Sequence, residues 1–258
     1  MATKGQAGES LAIGAVLGRA FGVMRGNPLT VFGIAFLLGA LPQGILGYAV
    51  RAEATSPDPA AQAGLVGLYM GYGLVVLLCS ALAQSALVRA SSAYLEGRSA
   101  SIGESLSVGL AKVLPVIGVS ILLSLGLMVG FLLLFVPAII LALMWIVAIP
   151  ALVEENTGVI GAFGRSRYLT KGSRWQIFAL MIVLLVIIWL VALLAFIPGA
   201  ILGLGVVAAA VSPAATVLSL VTTTVTTALS STLITTLYFA LRERQDGPQA
   251  AQLADVFA

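Results

Sequence analysis

The longest uncharged stretch in this chain runs for 67 residues, from 175 to 241, and three others cover 26–50, 59–88 and 113–153. A charge at the centre of a bilayer costs at least ~2.5 kcal/mol, and a helix needs about 20 apolar residues to cross. Each of the two shorter stretches therefore holds one span. The 41 residues of 113–153 hold two short spans with a turn near Phe135-Val136-Pro137. The last stretch holds two long spans or three short ones. Only 9% of the 258 residues are charged and 60% are hydrophobic, against about 25% charged in a soluble domain. So few charges do not coat a particle in water, which makes this an integral membrane protein and excludes a disordered chain or a nucleic-acid binder.

The placement of the cations chooses between six spans and seven. With six, Lys4, Arg19, Arg25, Arg89, Arg98, Lys112, Arg165, Arg167, Lys171, Arg174, Arg242 and Arg244 share one side and only Arg51 lies on the other. Positive charge stays on the cytoplasmic side, so six spans are expected, with both termini cytoplasmic. The expected fold is all-α, a polytopic six-helix transmembrane bundle in a single membrane domain, 1–258. The spans are 28–50, 64–94, 114–133, 136–153, 174–198 and 213–241, followed by a cytoplasmic tail, 242–258. Ser212-Pro213 opens the sixth span with an N-cap residue and a proline at the first helical position. The apolar segment 199–211 reads equally as a helical extension or a re-entrant piece.

A more polar helical segment precedes each odd-numbered span: 10–25, 101–112 and 157–171. In the second, Ile102, Leu106, Gly109, Leu110 and Val113 share a face at helical spacing, with Ser101, Glu104, Ser107 and Lys112 opposite. Each segment runs into a break: Gly26-Asn27-Pro28, Leu114-Pro115 and Gly172-Ser173-Arg174-Trp175. The unit is an amphipathic elbow helix on the cytoplasmic side followed by a transmembrane hairpin, three times over. Two readings of the elbows are compatible. They lie in the headgroup plane, where each basic residue near anionic lipid contributes about 1 kcal/mol, or they are connecting helices packed on the bundle.

Gly14, Gly18, Gly22 and Gly26 recur every fourth residue in and just after the first elbow segment, and Gly67/Gly71, Gly126/Gly130 and Gly199/Gly203 form small-residue pairs. Glycine lets helix backbones approach in lipid, and internal packing is the expected use. The sixth span carries twelve hydroxyls between Thr216 and Thr236. They line a substrate path, or they bond to their own backbone carbonyls and join helices. Gln84, Thr222, Thr223, Thr226 and Thr227 are the candidate polar path. Gln43 and Gln84 are the amide side chains at membrane depth. No Asp, Glu, Lys or Arg lies mid-span, which weighs against ion-coupled pumps and proton relays.

The stretch from Ile149 to Phe178 is the most informative. Pro150 kinks the end of the fourth span. Glu154 and Glu155 stand beside a basic helix and are expected to pair with Arg165 or Arg167. Trp175 suits an anchor at the membrane interface. Adjacent glutamates on a helix point about 100° apart and form no catalytic dyad.

On these residues the chain resembles the membrane domain found in some glycerophosphodiester phosphodiesterases and in stand-alone bacterial membrane proteins. That family's pattern is a proline and a glutamate, a small-residue turn, then Ala-x-x-Arg-Ser-x-x-Leu-Thr-x-Gly and an aromatic. Ala162, Arg165, Ser166, Leu169, Thr170, Gly172 and Trp175 fit it in place, while Glu154 follows Pro150 at a slightly different spacing. The tail is also similar, with Leu241-Arg242, Gly247, Leu253 and Phe257. The resemblance implies a compact bundle in a bacterial inner membrane. The metal-ligand histidines and acidic residues of the fused hydrolase domain have no counterpart here.

The chain has no histidine and one cysteine, Cys79, which removes the Ser-His and Cys-His nucleophile pairs and an intrachain disulfide. No catalytic, cofactor or metal site is expected. The expected function is a non-enzymatic inner-membrane scaffold or accessory subunit. Its elbows would contact anionic headgroups and a protein partner or a second copy of the chain. The alternative is a carrier or exporter of a small hydrophobic or lipid-like substrate.

Overall fold

The computed structural model of the chain describes residues 12–54, 59–133, 135–201 and 213–247. Among these residues all regular structure is helical: α1 (Ile13–Gly26), α2 (Pro28–Ile34), α3 (Leu41–Ala54), α4 (Pro59–Leu95), α5 (Ile102–Leu132), α6 (Phe135–Trp145), α7 (Ala148–Glu155), α8 (Gly158–Leu169), α9 (Arg174–Ile201) and α10 (Pro213–Asp246). A π-helical turn, Ala35–Ala40, joins α2 to α3. Six helical stretches are long and apolar enough to cross a membrane: Pro28–Arg51, Gly64–Leu95, Ile102–Leu132, Phe135–Glu155, Arg174–Ala195 and Ala214–Asp246. The protein is a six-span, all-helical integral membrane protein. An even number of crossings returns α10 to the face where α1 lies, and Arg19 pairs there with Glu243 at 3.1 Å. We call this the elbow face.

The interior is apolar and close-packed. Val23, Ile34, Leu87, Val147, Ile177, Leu180, Leu233, Leu237 and Tyr238 form the larger cluster, which ties α1 and α2 to α4, α9 and α10. A smaller one joins Ala81, Val88, Val116, Val119, Ala148, Leu152 and Ala162, from α4, α5, α7 and α8. The outside is apolar as well: Met70, Met128, Trp189 and Leu194 are all exposed. Such a surface would aggregate in water, whereas lipid tails solvate it.

Prolines shape the spans. Pro42 offers no N–H to the Leu38 carbonyl, and the π-helical turn lies at that level. A Cβ on Gly39 would sit 3.2 Å from Thr227 Cγ2, and one on Gly44 would sit 2.4 Å from Leu220 Cδ2, so this wound-out segment lies flush on α10. The fourth span is interrupted at Ile146-Val147, where Pro150 has no N–H for the Ile146 carbonyl.

The break expected at Leu114-Pro115 is absent. α5 runs unbroken from Ile102 to Leu132 with Pro115 inside it, so the second elbow and the third span are one helix. Ser101 Oγ accepts from the Glu104 N–H at 3.1 Å and starts that helix. Farther along, a Cβ on Gly109 would meet Leu82 Cδ1 at 2.9 Å. This close seat on α4 keeps the segment in line, and Pro115 then costs one hydrogen bond rather than the helix. The other two breaks are real. Asn27 (φ −139°) separates α1 from α2 and donates to the Ala100 carbonyl at 3.2 Å. Gly172, at φ +83°, turns the chain from α8 into α9, a backbone state that costs other residues about 1–2 kcal/mol.

Internal packing is found at some of the expected small residues and not at others. A Cβ on Gly26 would lie 2.0 Å from the Tyr94 ring. A Cβ on Gly130 would lie 2.8 Å from the Ala138 Cα, and one on Gly126 would lie 2.4 Å from the Trp145 ring, so this pair closes the α5–α6 hairpin. Gly14, Gly18, Gly22, Gly67 and Gly71 meet nothing within 4 Å. Their spacing matches the packing pattern, but their faces point away from the bundle. Gly203 and the segment beyond Ile201, with the tail beyond Gly247, lie outside the described residues.

Gly130→Ala should therefore destabilise the protein by about 1–3 kcal/mol through overpacking. Gly18→Ala should stabilise it by about 0.5–1 kcal/mol, because alanine is the better helix former and has room. Unfolding of both variants in detergent micelles, followed by circular dichroism, measures the difference.

Candidate functional site

Two constellations concentrate the polar chemistry of the described residues. The first is the elbow after the fourth span. α7 ends at Glu155, and Asn156 in the left-handed region (φ 54°) reverses the chain into α8. On α8, the Arg165 Nε donates to Glu155 at 2.9 and 2.6 Å, and its Nη1 donates to Asp246 Oδ1 at 3.2 Å, with Nη2 on Oδ2. One guanidinium thus joins the end of α7 to the end of α10, using the fork geometry that only arginine has. The Arg165 pKa is pushed up, first by the hydrogen bond to Asp246 and then by Glu155, against the opposing effect of burial. Tyr238, fully buried on α10, donates from its hydroxyl to Glu155 Oε1 at 2.7 Å. The Tyr168 ring lies under the guanidinium, 5.5 Å away.

The same elbow repairs the broken span. Ser166 Oγ donates to the Met144 carbonyl at 2.8 Å, while Thr170 Oγ1, 3.5 Å from the same oxygen, donates to the Ser166 carbonyl at 3.0 Å. Both side chains are fully buried. Met144 lies in the last turn of α6, where a carbonyl has lost its helical partner and no water replaces it. Gln245 then donates to the carbonyls of Lys171 (2.8 Å) and Leu169 (3.5 Å), and Arg244 donates to Ser173 Oγ at 2.6 Å.

Each expected motif residue thereby has a location. Pro150 is buried beside the break, Ala162 and Leu169 are fully buried in the two apolar clusters, and Gly172 makes the positive-φ turn. Trp175 is 84% exposed at the start of α9. Of the two glutamates only Glu155 pairs with Arg165. Glu154 Oε1 is buried and reaches neither Arg165 nor Arg167, because on a helix its side chain points about 100° away from Glu155. Arg167 is exposed on the far side of α8 and makes no ion pair among the described residues. Reading the motif missed Tyr238, Arg244, Gln245 and Asp246. The resemblance in the tail signalled that region, but nothing in the sequence said that it touches residues 155–173.

The second constellation is a cavity of about 390 Å³ inside the spans. It is lined by Gln84 and Val88 of α4, by Ile146, Ile149 and Pro150 at the break, by Ile188 of α9, and by Thr226, Thr227, Ser230, Ser231 and Ile234 of α10. The expected polar path is thus assembled in part. Gln84, Thr226 and Thr227 meet there, while Thr222 and Thr223 lie outside the lining. Thr222 and Thr226 spend their hydroxyls on the carbonyls of Leu218 and Thr222, both at 2.9 Å. Ser230 and Ser231 take their place at the cavity, four residues after Thr226 and Thr227 and so on the same helix face.

Arg165→Leu should destabilise the protein by about 1–3 kcal/mol. That is less than the ~3–5 kcal/mol for breaking a fully buried pair, because the three side chains keep 17–26% of their surface exposed. Arg165→Lys should restore little, since one ammonium does not bridge both carboxylates. Ser166→Ala should cost about 1 kcal/mol. Thr170→Val should cost about 1 kcal/mol as well, because its hydroxyl donates to the Ser166 carbonyl at 3.0 Å. Thermal unfolding in micelles measures each.

Among known proteins, a family model described as the membrane domain of glycerophosphoryl diester phosphodiesterase matches residues 119–250. No curated protein and no solved structure matches the chain. The matched stretch covers just over half of the chain and includes the broken fourth span, the whole Arg165 elbow, and α10 with Tyr238 and Asp246. This chain belongs to the family of the membrane domain of glycerophosphoryl diester phosphodiesterase.

Proposed function

We propose that the protein is a non-enzymatic inner-membrane scaffold or accessory subunit. Its elbow face, with both chain ends, is on the cytoplasmic side of a bacterial membrane and contacts anionic headgroups and membrane partners. The observation that carries this reading is the immobilised elbow. Arg165, Ser166, Gln245 and Arg244 bind α8 and its following turn to three other elements. Arg167 and Lys171 are left exposed on the held segment. Beside them, Ile160 is 82% exposed and Trp175 is 84% exposed, a mixture of cation, apolar side chain and tryptophan that suits the headgroup layer. An apolar groove of about 410 Å³, lined by Val136, Ile139, Ile140, Leu143 and Phe178, ends at Arg174 and Trp175. It offers a lipid tail a channel beneath a cation.

The carrier or exporter reading is favoured by one observation, the cavity at Gln84. A carrier opens one side of its bundle during each cycle, and the ties across the elbow face oppose such opening.

The test is native mass spectrometry of the full chain released from nanodiscs containing equal phosphatidylglycerol and phosphatidylcholine. The scaffold reading expects preferential retention of phosphatidylglycerol. Arg167→Gln with Lys171→Gln should weaken it by about 2 kcal/mol, or roughly thirtyfold, at about 1 kcal/mol per cation. Equal retention of the two lipids by a lone monomer would overturn the reading.

A further inference from the structure

We propose that the cavity between α4, α7, α9 and α10 is a binding site for an uncharged amphiphile, a molecule with a hydroxyl- or amide-bearing head and a hydrocarbon tail. The inference is independent of the elbow's role.

Hydrogen-bonding capacity around the cavity is unspent. Thr222, Thr224, Thr226, Thr232, Thr235 and Thr236 all donate to carbonyls of their own helix. The side chains of Thr227, Ser230, Ser231 and Gln84 make no hydrogen bond to any described residue, and all four line the cavity. Inside a bilayer, an unmet polar group costs about 1–3 kcal/mol on mutational scales, so four of them around one space call for an occupant. The break in the fourth span borders the same space. Ile146 and Pro150 both line the cavity, and Pro150 leaves the Ile146 carbonyl without its helical donor.

No charged residue is among the described residues that line the cavity, and its apolar wall includes Val88, Ile146, Ile149, Ile188 and Ile234. A charged head would be desolvated there without a counter-ion. Water alone would satisfy the polar edge but would cover five branched apolar side chains, where it lacks partners. An amphiphile satisfies both. The volume of about 390 Å³ falls within the ~300–1,000 Å³ of ligand sites. Most of the lining side chains are half-buried rather than sealed, which leaves a tail free to continue into the lipid.

The depth of the cavity fits the same occupant. Gln84 lies five residues before Arg89 on α4, about 7.5 Å deeper at 1.5 Å per residue. The polar edge therefore sits just inside the charged layer, at the depth where the head of a single-chain amphiphile meets its tail.

The test uses the full chain in micelles with two probes, 1-monodecanoylglycerol and decanoate, read by native mass spectrometry and by the shift in melting temperature. Saturable one-to-one retention of the glyceride is expected, at least tenfold tighter than decanoate at neutral pH. Gln84→Leu should weaken glyceride binding at least tenfold, and Ser230→Ala with Ser231→Ala should weaken it several-fold. Ile188→Trp, which fills the space, should abolish it. Thr222→Val, outside the lining, should leave it unchanged. Should Gln84→Leu not fold, the serine pair, a small change on an exposed-to-cavity face, decides the matter. The inference is overturned if neither probe binds saturably, which is the outcome of a cavity holding water only. It is equally overturned if decanoate binds as well as the glyceride, or if the lining variants bind as the parent does. Phosphatidylglycerol preference is unaffected by any of these outcomes, so a failure here is distinct from a failure of the scaffold reading.

Discussion

A helix interrupted inside a membrane leaves carbonyls with no water to accept a proton from. The fourth span is interrupted at Ile146-Val147, and the surrounding structure is arranged around that break. Ser166 supplies its hydroxyl to Met144, and Thr170 fixes the Ser166 carbonyl beside it. For that hydroxyl to arrive, α8 must fold back against the end of α6. For α8 to stay there, its own charge must be held, and Arg165 is held on both sides by Glu155 and Asp246. The polar residues of the family motif are therefore a repair for a broken helix, and the last span is recruited to hold the repair in place.

The apolar residues of the motif serve the same geometry. Ala162 is fully buried in the smaller cluster and Leu169 in the larger, so α8 contacts both halves of the bundle. Gly172 takes a positive φ so that α9 starts immediately after the elbow. Trp175 then faces outward at the start of the fifth span. Leaving the fourth span interrupted also has a consequence on the opposite side of α7. Pro150 and Ile146 line the cavity that Gln84 and the serines of α10 complete. One proline thus shapes both constellations.

Reading the sequence succeeded where a single residue type answers to the membrane itself. The charge-free stretches locate six crossings because a charge is costly in lipid wherever it lies along a helix. It failed at Pro115, because whether a proline ends a helix depends on what the helix leans on, and here Gly109 lets α5 lean on α4. It failed at Gly14, Gly18 and Gly22 for a related reason: spacing defines a face but not a neighbour. It placed Glu154 and Glu155 together as partners for arginine, and the helix's turn per residue lets only Glu155 reach one.

What the sequence determines by itself is the number of crossings, the helical class, the crowding of cations at one set of loops, and the residues of the family motif. These follow from local rules of burial, charge and helix capping, which act on each segment alone. Only the tertiary structure decides that Asp246 and Tyr238 meet residues of the elbow some 80 positions earlier. It likewise decides that Thr226 and Thr227 join Gln84 while Thr222 and Thr223 do not. Those pairings depend on how six similar apolar cylinders are arranged and rotated. That arrangement is set by the summed packing of glycine seats, bulges and breaks, which no segment encodes alone.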